Sequence, residues 1–289
     1  MALKEIKNRI SSVRSTQKIT SAMKMVSSAK LRKAQRAIEG AYPYEQKLSA
    51  MLGNFAGSAN ENMSQSPYLE KREVGKIAIV VLSSNSSLCG SFNANIAKQL
   101  INVLNSYKDI SKENIKIFSI GKKISRFCKK IDYTPFYQND EIVDKPDYQK
   151  AVLLANKLVE SFLNKEIDEV ILIYQHFKNK AVQVVTTRKF LPLEIKKEEK
   201  QTFSADYIVE PNLQRVIEQL IPYVLRTEIY TTLLDSLASE HAARTLAMQT
   251  ATDNADDLLQ ELSLQYNKQR QQAITSELLD IIGGSEALK

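Results

Sequence analysis

The chain has 289 residues, 43% of them hydrophobic, which is enough to bury one large core or two smaller ones and excludes intrinsic disorder. Cys89 and Cys128 are the two cysteines and lie far apart in sequence, which excludes a framework of several disulfides. The net charge of +7 is concentrated in residues 1–40, which carry ten Lys or Arg and two Glu, a net charge of +8. Such a segment suits nucleic acid, an anionic lipid surface or an acidic protein surface, and charge alone does not choose between them.

No apolar stretch approaches the roughly 20 residues that a helix needs to cross a bilayer. The first residues, MALKEIKNRI, form a charged amphipathic pattern rather than a signal peptide. We therefore expect a soluble chain that meets a membrane only through partners.

Residues 1–56 carry a heptad pattern that predicts one long N-terminal helix. Apolar or small side chains recur at alternating spacings of three and four, first over Leu3 to Val13 and again over Leu31 to Phe55. Between these stretches the pattern shifts to a neighbouring stripe, as a stutter in the heptads produces. The shifted stripe consists of Ile19, Ala22, Met23 and Val26. At about 1.5 Å per residue, the predicted helix is roughly 80 Å long.

The next part of the chain changes character. The stretch from Gly57 to Ser66 is rich in Asn, Ser and Gly and is predicted to be a linker. Short β-branched runs then alternate with amphipathic stretches, which favours βαβ units and a mostly parallel sheet. The predicted strands are Lys76 to Ser83, Ile115 to Ile120 and Glu169 to Phe177, and the predicted helices are Phe92 to Tyr107 and Asp147 to Leu163. A further run, Ala181 to Leu193, predicts an antiparallel hairpin with the third strand.

Residues 209–289 repeat the heptad signal over a greater length, with Leu213 to Leu262 in one register. Pro222 lies inside this pattern and predicts either a kink or the first turn of a new helix. Beyond Leu262 the register falls on Gln side chains, so the partner of the helix there is polar or absent. The Gly283-Gly284 pair predicts the end of the helix.

Two long helices flanking one compact domain are most simply paired with each other. We therefore predict a long antiparallel two-helix coiled coil from residues 1–56 and 209–289, beside a central Rossmann-like α/β domain of residues 57–208. A domain of that size has a radius of gyration near 15 Å, so a helix of roughly 80 Å projects well beyond it. Such a projecting pair is expected to be a mechanical or docking element.

The stretch from Ser83 to Asn93, SSNSSLCGSFN, follows a predicted strand at the position where a parallel sheet binds ligands. This stretch has a single Gly and the chain has no Walker A pattern, so a plain strand-to-helix turn is the preferred interpretation. Cys89 with His176 or His241 could form a nucleophile and base, but no third group to orient the base accompanies them. Two His and two distant Cys make no recognisable zinc site. The sequence therefore predicts no catalytic, cofactor-binding or metal-binding residue.

Two interpretations of the cluster Met23-Lys24-Met25 stay open. Met in a helix usually belongs to a core. Here the heptad pattern is shifting and basic residues surround the cluster, so an exposed Met face that meets a partner is the competing interpretation.

Three separated motifs carry a family resemblance. They are Ile6 to Leu31, IKNRISSVRSTQKITSAMKMVSSAKL, then Ser239 to Ala255, SEHAARTLAMQTATDNA, and finally Ile274 to Leu288, ITSELLDIIGGSEAL. In content and order they resemble the gamma-subunit family of F-type ATP synthases. The resemblance covers both predicted long helices and, more loosely, the central domain.

The resemblance implies a central-stalk rotor that couples proton flow to ATP turnover on partner subunits and is not itself catalytic. The coiled coil would stand inside a ring of alternating alpha and beta subunits, with the α/β domain on the membrane c-ring beside the epsilon subunit. The chain would be peripheral on the cytoplasmic face of a bacterial membrane, attached through partner subunits only. By position, Met23 and Lys24 would face an acidic lever of a beta subunit. The residues matched to contacts with loops of the ring are Arg270, Gln271, Thr275 and Glu277.

Two functions from other classes remain as alternatives. A basic coiled-coil protein that binds nucleic acid is motivated by the +8 segment and predicts strongly salt-dependent retention on DNA. That segment lacks the interleaved aromatic residues of a single-strand binder. A hydrolase or transferase in residues 57–208 is the second alternative, and it lacks a catalytic constellation.

Overall fold

The computed structural model describes residues 3–58, 66–195, 209–210 and 212–286. The chain divides into two compact units, which we call the terminal unit (residues 1–27 and 244–289) and the central unit (residues 28–243). Most of the predicted linker from Gly57 to Ser66 lies outside the described residues, and its first two residues belong to the first helix.

The described residues form six α-helices and five strands. The helices are α1 (Leu3–Ser58), α2 (Phe92–Ser106), α3 (Lys122–Lys130), α4 (Glu141–Asp144), α5 (Tyr148–Leu163) and α6 (Leu213–Glu286). The strands are β1 (Ile77–Leu82), β2 (Ile115–Ile120), β3 (Tyr137–Asn139), β4 (Glu169–Phe177) and β5 (Gln183–Leu191). The predicted strands and helices of the central segment are all present, with ends within two residues of those predicted.

The five strands form one sheet in the order β3-β2-β1-β4-β5. All neighbouring strands are parallel except β5, which runs antiparallel to β4 as the hairpin prediction required. The central strand β1 reads IAIVVL and is buried along its whole length, because parallel sheets are covered on both faces. The predicted mostly parallel sheet is confirmed.

The side chains of β1 alternate between two apolar layers of the central unit. On one face, Ile79 shares a buried cluster with Ile124 of α3 and with the apolar residues of α2. On the other face, Val80 belongs to a cluster that contains α5, Leu52 of α1 and Ile221 of α6. The long helices and α5 therefore lie on one face of the sheet, and α2 and α3 lie on the other.

The helix ends differ from the sequence prediction at one place. α6 continues through Gly283 and Gly284 to Glu286, so the predicted end at that pair is wrong. A Gly inside a helix costs only about 1 kcal/mol relative to Ala, too little to stop a helix that is already propagating. Pro222 lies inside α6 rather than in its first turn, and α1 likewise continues through Pro43.

Candidate partner-contact surfaces

In the terminal unit the two long helices pair with each other. Gln17 of α1 donates from Nε2 to Oδ1 of Asp256 at 2.8 Å, and Thr252 of α6 donates from Oγ1 to Oγ1 of Thr20 at 2.9 Å. From Gln17 to Thr20 on α1, the partner on α6 changes from Asp256 to Thr252, so the two helices are antiparallel. Thr20 and Thr252 are both buried, which places their hydrogen bond inside the helix interface.

The same pairing holds in the central unit. Leu31 and Ala34 of α1 form a small buried cluster with Ala238 and Ala242 of α6. Alanine on α6 lets the two backbones approach closely, since it adds little side-chain bulk. The predicted antiparallel two-helix arrangement is confirmed within each unit.

Around the shifted stripe, α1 presents an apolar surface to solvent. The side chains of Ile19, Met25 and Val26 are 60%, 63% and 57% exposed, and we call these three residues the α1 strip. Met23 and Lys24, which the resemblance singled out, are half-buried. Adjacent exposed apolar side chains are a common feature of partner-binding surfaces, which makes the α1 strip a candidate contact surface. The sequence pattern named Ile19 and Val26 as members of the stripe but did not show which of its residues face outward.

The last part of α6, residues 263–282, forms a second such surface, which we call the α6 tail. Arg270, Gln271, Thr275 and Glu277 are all exposed there, in agreement with the loss of apolar register beyond Leu262. The hydroxyl of Thr275 donates to the carbonyl of Gln271 at 2.9 Å. Exposed apolar residues accompany these polar ones, and sequence reasoning missed them: Leu264, Ile274, Leu278, Leu279 and Ile281.

A buried ionic cluster joins the sheet to both long helices in the central unit. Arg188 of β5 places Nε 2.9 Å from Oε1 of Glu228 on α6 and a terminal nitrogen 3.8 Å from Oε1 of Glu45 on α1. The Arg188–Glu228 contact is an ion pair rather than a hydrogen bond, because the N–H is not aimed at the oxygen. Both carboxylates are buried while the guanidinium is half-exposed, so one cation serves two acids.

Burial dominates the titration of these acids. Desolvation raises the pKa of Glu228 to about 7, although the nearby Arg188 guanidinium acts in the opposite direction. The pKa of Glu45 is raised for the same first reason, and Arg188 again opposes the change. Arg188 therefore only partly offsets the loss of water around two carboxylates.

A second polar link connects the end of β4 with α6. Asp235 accepts the backbone N–H of Phe177 at 2.7 Å and lies 2.6 Å from Nδ1 of His176. One helical turn further, Ser239 donates its hydroxyl to the carbonyl of Gln175 at 2.8 Å. Three directional contacts thus fix the position of α6 on the last residues of β4.

The polar side chains of the loop from Ser83 to Asn93 bond within the loop and to neighbouring elements. Asn93 accepts the backbone N–H of Ser84 at 3.1 Å and donates to Sγ of Cys89 at 3.1 Å. The side chain of Asn85 donates to Asp144 and accepts the backbone N–H of Lys122, so it ties the loop to α3 and α4. These bonds favour the plain-turn interpretation over a phosphate loop, whose N–H groups would point at a ligand.

Cys89 and His176, one of the two cysteine and histidine combinations that the sequence raised, each contact other groups. Cys89 is buried beside Ser84 and Asn93, whereas His176 contacts Asp235 at the other long helix. Cys128 of α3 is buried in the apolar layer between that helix and the sheet, and burial raises the pKa of its thiol to about 11. His241 is buried on α6, where its heptad position placed it.

The described residues contain neither a metal-binding cluster nor a membrane-spanning helix. Over residues 3–58, 66–195, 209–210 and 212–286, His, Cys, Asp and Glu side chains do not gather in groups of three that could hold a metal ion. No helix within the described part of the chain has an apolar stretch long enough to span a bilayer.

Comparison with known proteins decides the family. A family model described as ATP synthase matches residues 2–288. The ATP synthase gamma chain of Phocaeicola vulgatus is 53% identical over 99% of this chain and 99% of its own length. The chain belongs to the ATP synthase gamma chain family. The resemblance drawn from the three motifs is confirmed, and the nucleic-acid-binding alternative receives no support from these matches.

Solved structures agree with this family in fold. A chain in the Euglena gracilis mitochondrial ATP synthase structure titled OSCP/F1/c-ring, rotational state 3, has a TM-score of 0.67 at 19% identity, covering 99% of this chain and 94% of that one. A chain in the Tetrahymena thermophila mitochondrial ATP synthase structure titled central stalk/c-ring has a TM-score of 0.60 at 22% identity, covering 81% and 99%. The fold of paired long helices with an α/β sheet is therefore one that central-stalk chains also have.

Proposed function

We propose that this chain is the central-stalk rotor subunit of a proton-translocating F-type ATP synthase. It would couple rotation of the membrane ring to the conformational cycle of the catalytic beta subunits. Membership of the gamma chain family supports this role, as does the likeness to a structure titled central stalk.

The observation that carries the proposal is the antiparallel pairing of α1 and α6 within each unit. A single isolated helix bends and twists easily, whereas two helices joined by buried side chains resist both motions together. The Thr20–Thr252 bond and the Leu31–Ala242 cluster supply such joints in the two units. A paired shaft is what torque transmission requires.

We assign ATP synthesis and hydrolysis to partner subunits and none of it to this chain. Two features support the assignment. The polar groups of the Ser83 to Asn93 loop are engaged in their own hydrogen bonds, and the thiols of Cys89 and Cys128 are buried.

The mechanism we propose is coupling by differential contact energy. An asymmetric shaft presents different side chains to each beta subunit in each orientation, and each orientation then favours a different conformation of that subunit. To move one subunit from mostly open to mostly closed, the two orientations must differ by about 5 kcal/mol in contact energy. The exposed α1 strip and α6 tail are apolar enough to supply differences of that size.

The partners follow from the same proposal. Residues 1–56 and 209–289 would form the shaft inside the alpha and beta ring, with Met23 and Lys24 at an acidic lever of a beta subunit. Residues 57–208 would rest on the c-ring beside the epsilon subunit, at the cytoplasmic face of a bacterial membrane. Attachment to the membrane would run through partner subunits, except for the lipid contact inferred below. The proposed contacts of the α6 tail with loops of the ring are Arg270, Gln271, Thr275 and Glu277.

Purification from gently solubilised membranes tests the proposal. An affinity-tagged chain should bring down two larger nucleotide-binding subunits and a small membrane protein, and the complex should pump protons when given ATP. The proposed function would be contradicted if the chain were recovered alone. It would also be contradicted if the chain were recovered with nucleic acid that stays bound through the washes.

A further inference from the structure

One edge of the central unit combines exposed cations with aromatic rings. It is formed by Lys112, Lys116, Tyr133, Phe136 and Lys157, which we call the edge patch. Lys112 comes from a short 3-10 helix just before β2, and Lys116 comes from β2 itself. Tyr133 and Phe136 come from the segment between α3 and β3, and Lys157 comes from α5. The patch therefore collects side chains from both faces of the sheet at its β3 edge.

Phe136 is the centre of the patch and points outward from a fixed backbone. Its N–H donates to the carbonyl of Ile117 at 2.8 Å, and its ring centroid lies 5.5 Å from that of the buried Phe118. The side chain is nonetheless 51% exposed. The inner side of the ring is packed, and the outer side remains available to a partner.

Ammonium groups surround the rings. Nζ of Lys116 lies 4.7 Å and Nζ of Lys157 lies 5.7 Å from the Phe136 centroid, and Nζ of Lys112 lies 5.2 Å from the centroid of Tyr133. Lys116 also meets Glu166 at 3.4 Å. Among the described residues, neither Lys112 nor Lys157 has a carboxylate within ion-pair distance.

The neighbouring helix extends the positive charge. α3 reads KKISRFCKK, with Ile124 and Cys128 buried in the core and the cations on its outer side. Lys129 and Lys130, at the end of α3 nearest the patch, are both exposed. The five lysines outnumber the exposed acids that lie among them, Glu113, Asp132 and Glu166, so the surface keeps a net positive charge with one aromatic ring at its centre.

The edge patch and Ala243 lie toward opposite ends of the parallel strands. Ala243, the last residue of the central unit, packs against Cys89 and Phe92 beyond the carboxyl end of β1. The contact of Phe136 with Ile117 places the patch toward the amino end of the neighbouring parallel strand. The patch therefore lies toward the end of the sheet opposite Ala243, within the residues 57–208 that the proposed function places on the membrane ring.

We propose that the edge patch binds anionic phospholipid headgroups at the membrane surface around the ring. This inference rests on the proposed function, which supplies the nearby membrane. Lysines that surround an exposed aromatic ring suit the lipid interface, since the ammonium groups meet phosphates while the ring enters the headgroup layer. Single-stranded nucleic acid fits less well, because one exposed ring offers no series of stacking platforms.

The chain contains no Trp, so one substitution creates a site-specific reporter. Phe136→Trp in the full chain should move its fluorescence emission to shorter wavelength when vesicles of equal phosphatidylglycerol and phosphatidylcholine are added. Vesicles of phosphatidylcholine alone should leave the emission unchanged. High salt should reverse the shift, because it screens the phosphate contacts.

Two matched controls separate the patch from the basic N-terminal helix. Tyr223→Trp places the reporter at a ring that is 52% exposed and has a cation, Arg226, 5.8 Å from its centroid, but that lies on α6. It should not respond. Combining Lys112→Gln, Lys116→Gln and Lys157→Gln with the patch reporter should weaken vesicle binding at that reporter by roughly a hundredfold. The matched triple change on α1 (Lys7→Gln, Arg9→Gln and Arg14→Gln) should leave the patch reporter responsive.

The outcomes are separable. The inference is overturned if the folded Phe136→Trp chain gives no shift, if Tyr223→Trp shifts equally, or if an oligonucleotide and not the vesicles produces the shift. It is also overturned if acrylamide cannot quench the Phe136→Trp reporter in the detergent-purified complex, since another subunit then covers the patch. A chain that assembles and pumps protons but fails the vesicle test contradicts this inference and leaves the proposed function standing.

Discussion

The carboxylate of Asp235 lies 2.6 Å from Nδ1 of His176, and the same carboxylate accepts the backbone N–H of Phe177 at 2.7 Å. One side chain of α6 thus holds two consecutive residues at the end of β4. Apolar contacts are not directional and permit two elements to slide, whereas these bonds fix both the height and the rotation of α6 on the sheet.

Asp235→Ala is predicted to lower the free energy of unfolding of the central unit by about 2–3 kcal/mol. The change leaves the half-buried N–H of Phe177 without its acceptor and also removes the partner of His176, and an unsatisfied group shielded from water is costly. Urea denaturation of the full chain measures the effect. Asp257→Ala, at an exposed position of the same helix, should stay within about 0.5 kcal/mol of the parent chain. Equal effects at both positions would remove the special role of Asp235.

Glu228 should make the chain less stable as the pH rises. Its folded pKa of about 7 lies above the ordinary value of 4.5, so the folded state binds the proton more tightly than the unfolded state. The stability that Glu228 contributes is fully present below about pH 4.5 and is lost as the pH rises through about 7. The resulting loss in the free energy of unfolding is at most about 3 kcal/mol. Glu45 and Asp235, whose pKa values burial also raises, act in the same direction.

Comparison with Glu228→Gln isolates this contribution. The variant cannot ionise at that position, so the difference in urea midpoint between about pH 5 and about pH 8 should be smaller than in the parent chain. An unchanged difference would mean that Glu228 titrates normally in the folded protein.

Two glycines should respond to alanine in opposite directions. Gly121 has a φ of 108°, and an added Cβ would lie 2.3 Å from the carbonyl oxygen of Ser83, so Gly121→Ala should destabilise by about 3 kcal/mol or more. Gly40 lies inside α1 with nothing within 4 Å of the added Cβ, so Gly40→Ala should stabilise by about 0.5–1 kcal/mol. Thermal melts of both variants test the pair. A neutral Gly121→Ala would show that the turn relaxes.

Met25→Asp should weaken coupling without weakening the fold. Met25 is 63% exposed in the single chain, so its replacement should change the free energy of unfolding by no more than about 0.5 kcal/mol. In the assembled complex the same change should lower the number of protons pumped per ATP hydrolysed, because it inserts an acid into a contact that we propose lies beside an acidic lever.

Asn8→Asp is the control for that experiment. It adds the same charge at an exposed position of α1 outside the α1 strip. A Met25→Asp chain that unfolds would show that Met25 belongs to the core, and normal pumping would show that the strip makes no contact important for coupling.

The sequence prediction missed the short elements β3 and α3 of the central unit. β3 has three residues and exists because Tyr137 to Asn139 pair with the end of β2, a contact that local patterns do not contain. α3 does carry Ile124, Phe127 and Cys128 at the i, i+3, i+4 spacing of a helix, but the pattern lasts only nine residues and was not recognised. Both elements depend on neighbours that the fold supplies.

The sequence by itself determined the two long helices, the alternating strands and helices between them, and, through three motifs, the family. Repeating apolar positions are a local property, and each repeat adds to the same conclusion. Only the tertiary structure decided which residues of the shifted stripe face outward, that Arg188 meets acids from two helices, and that five residues from three segments form the edge patch. These facts depend on distances between residues far apart in the chain, and a distance of that kind is set by packing.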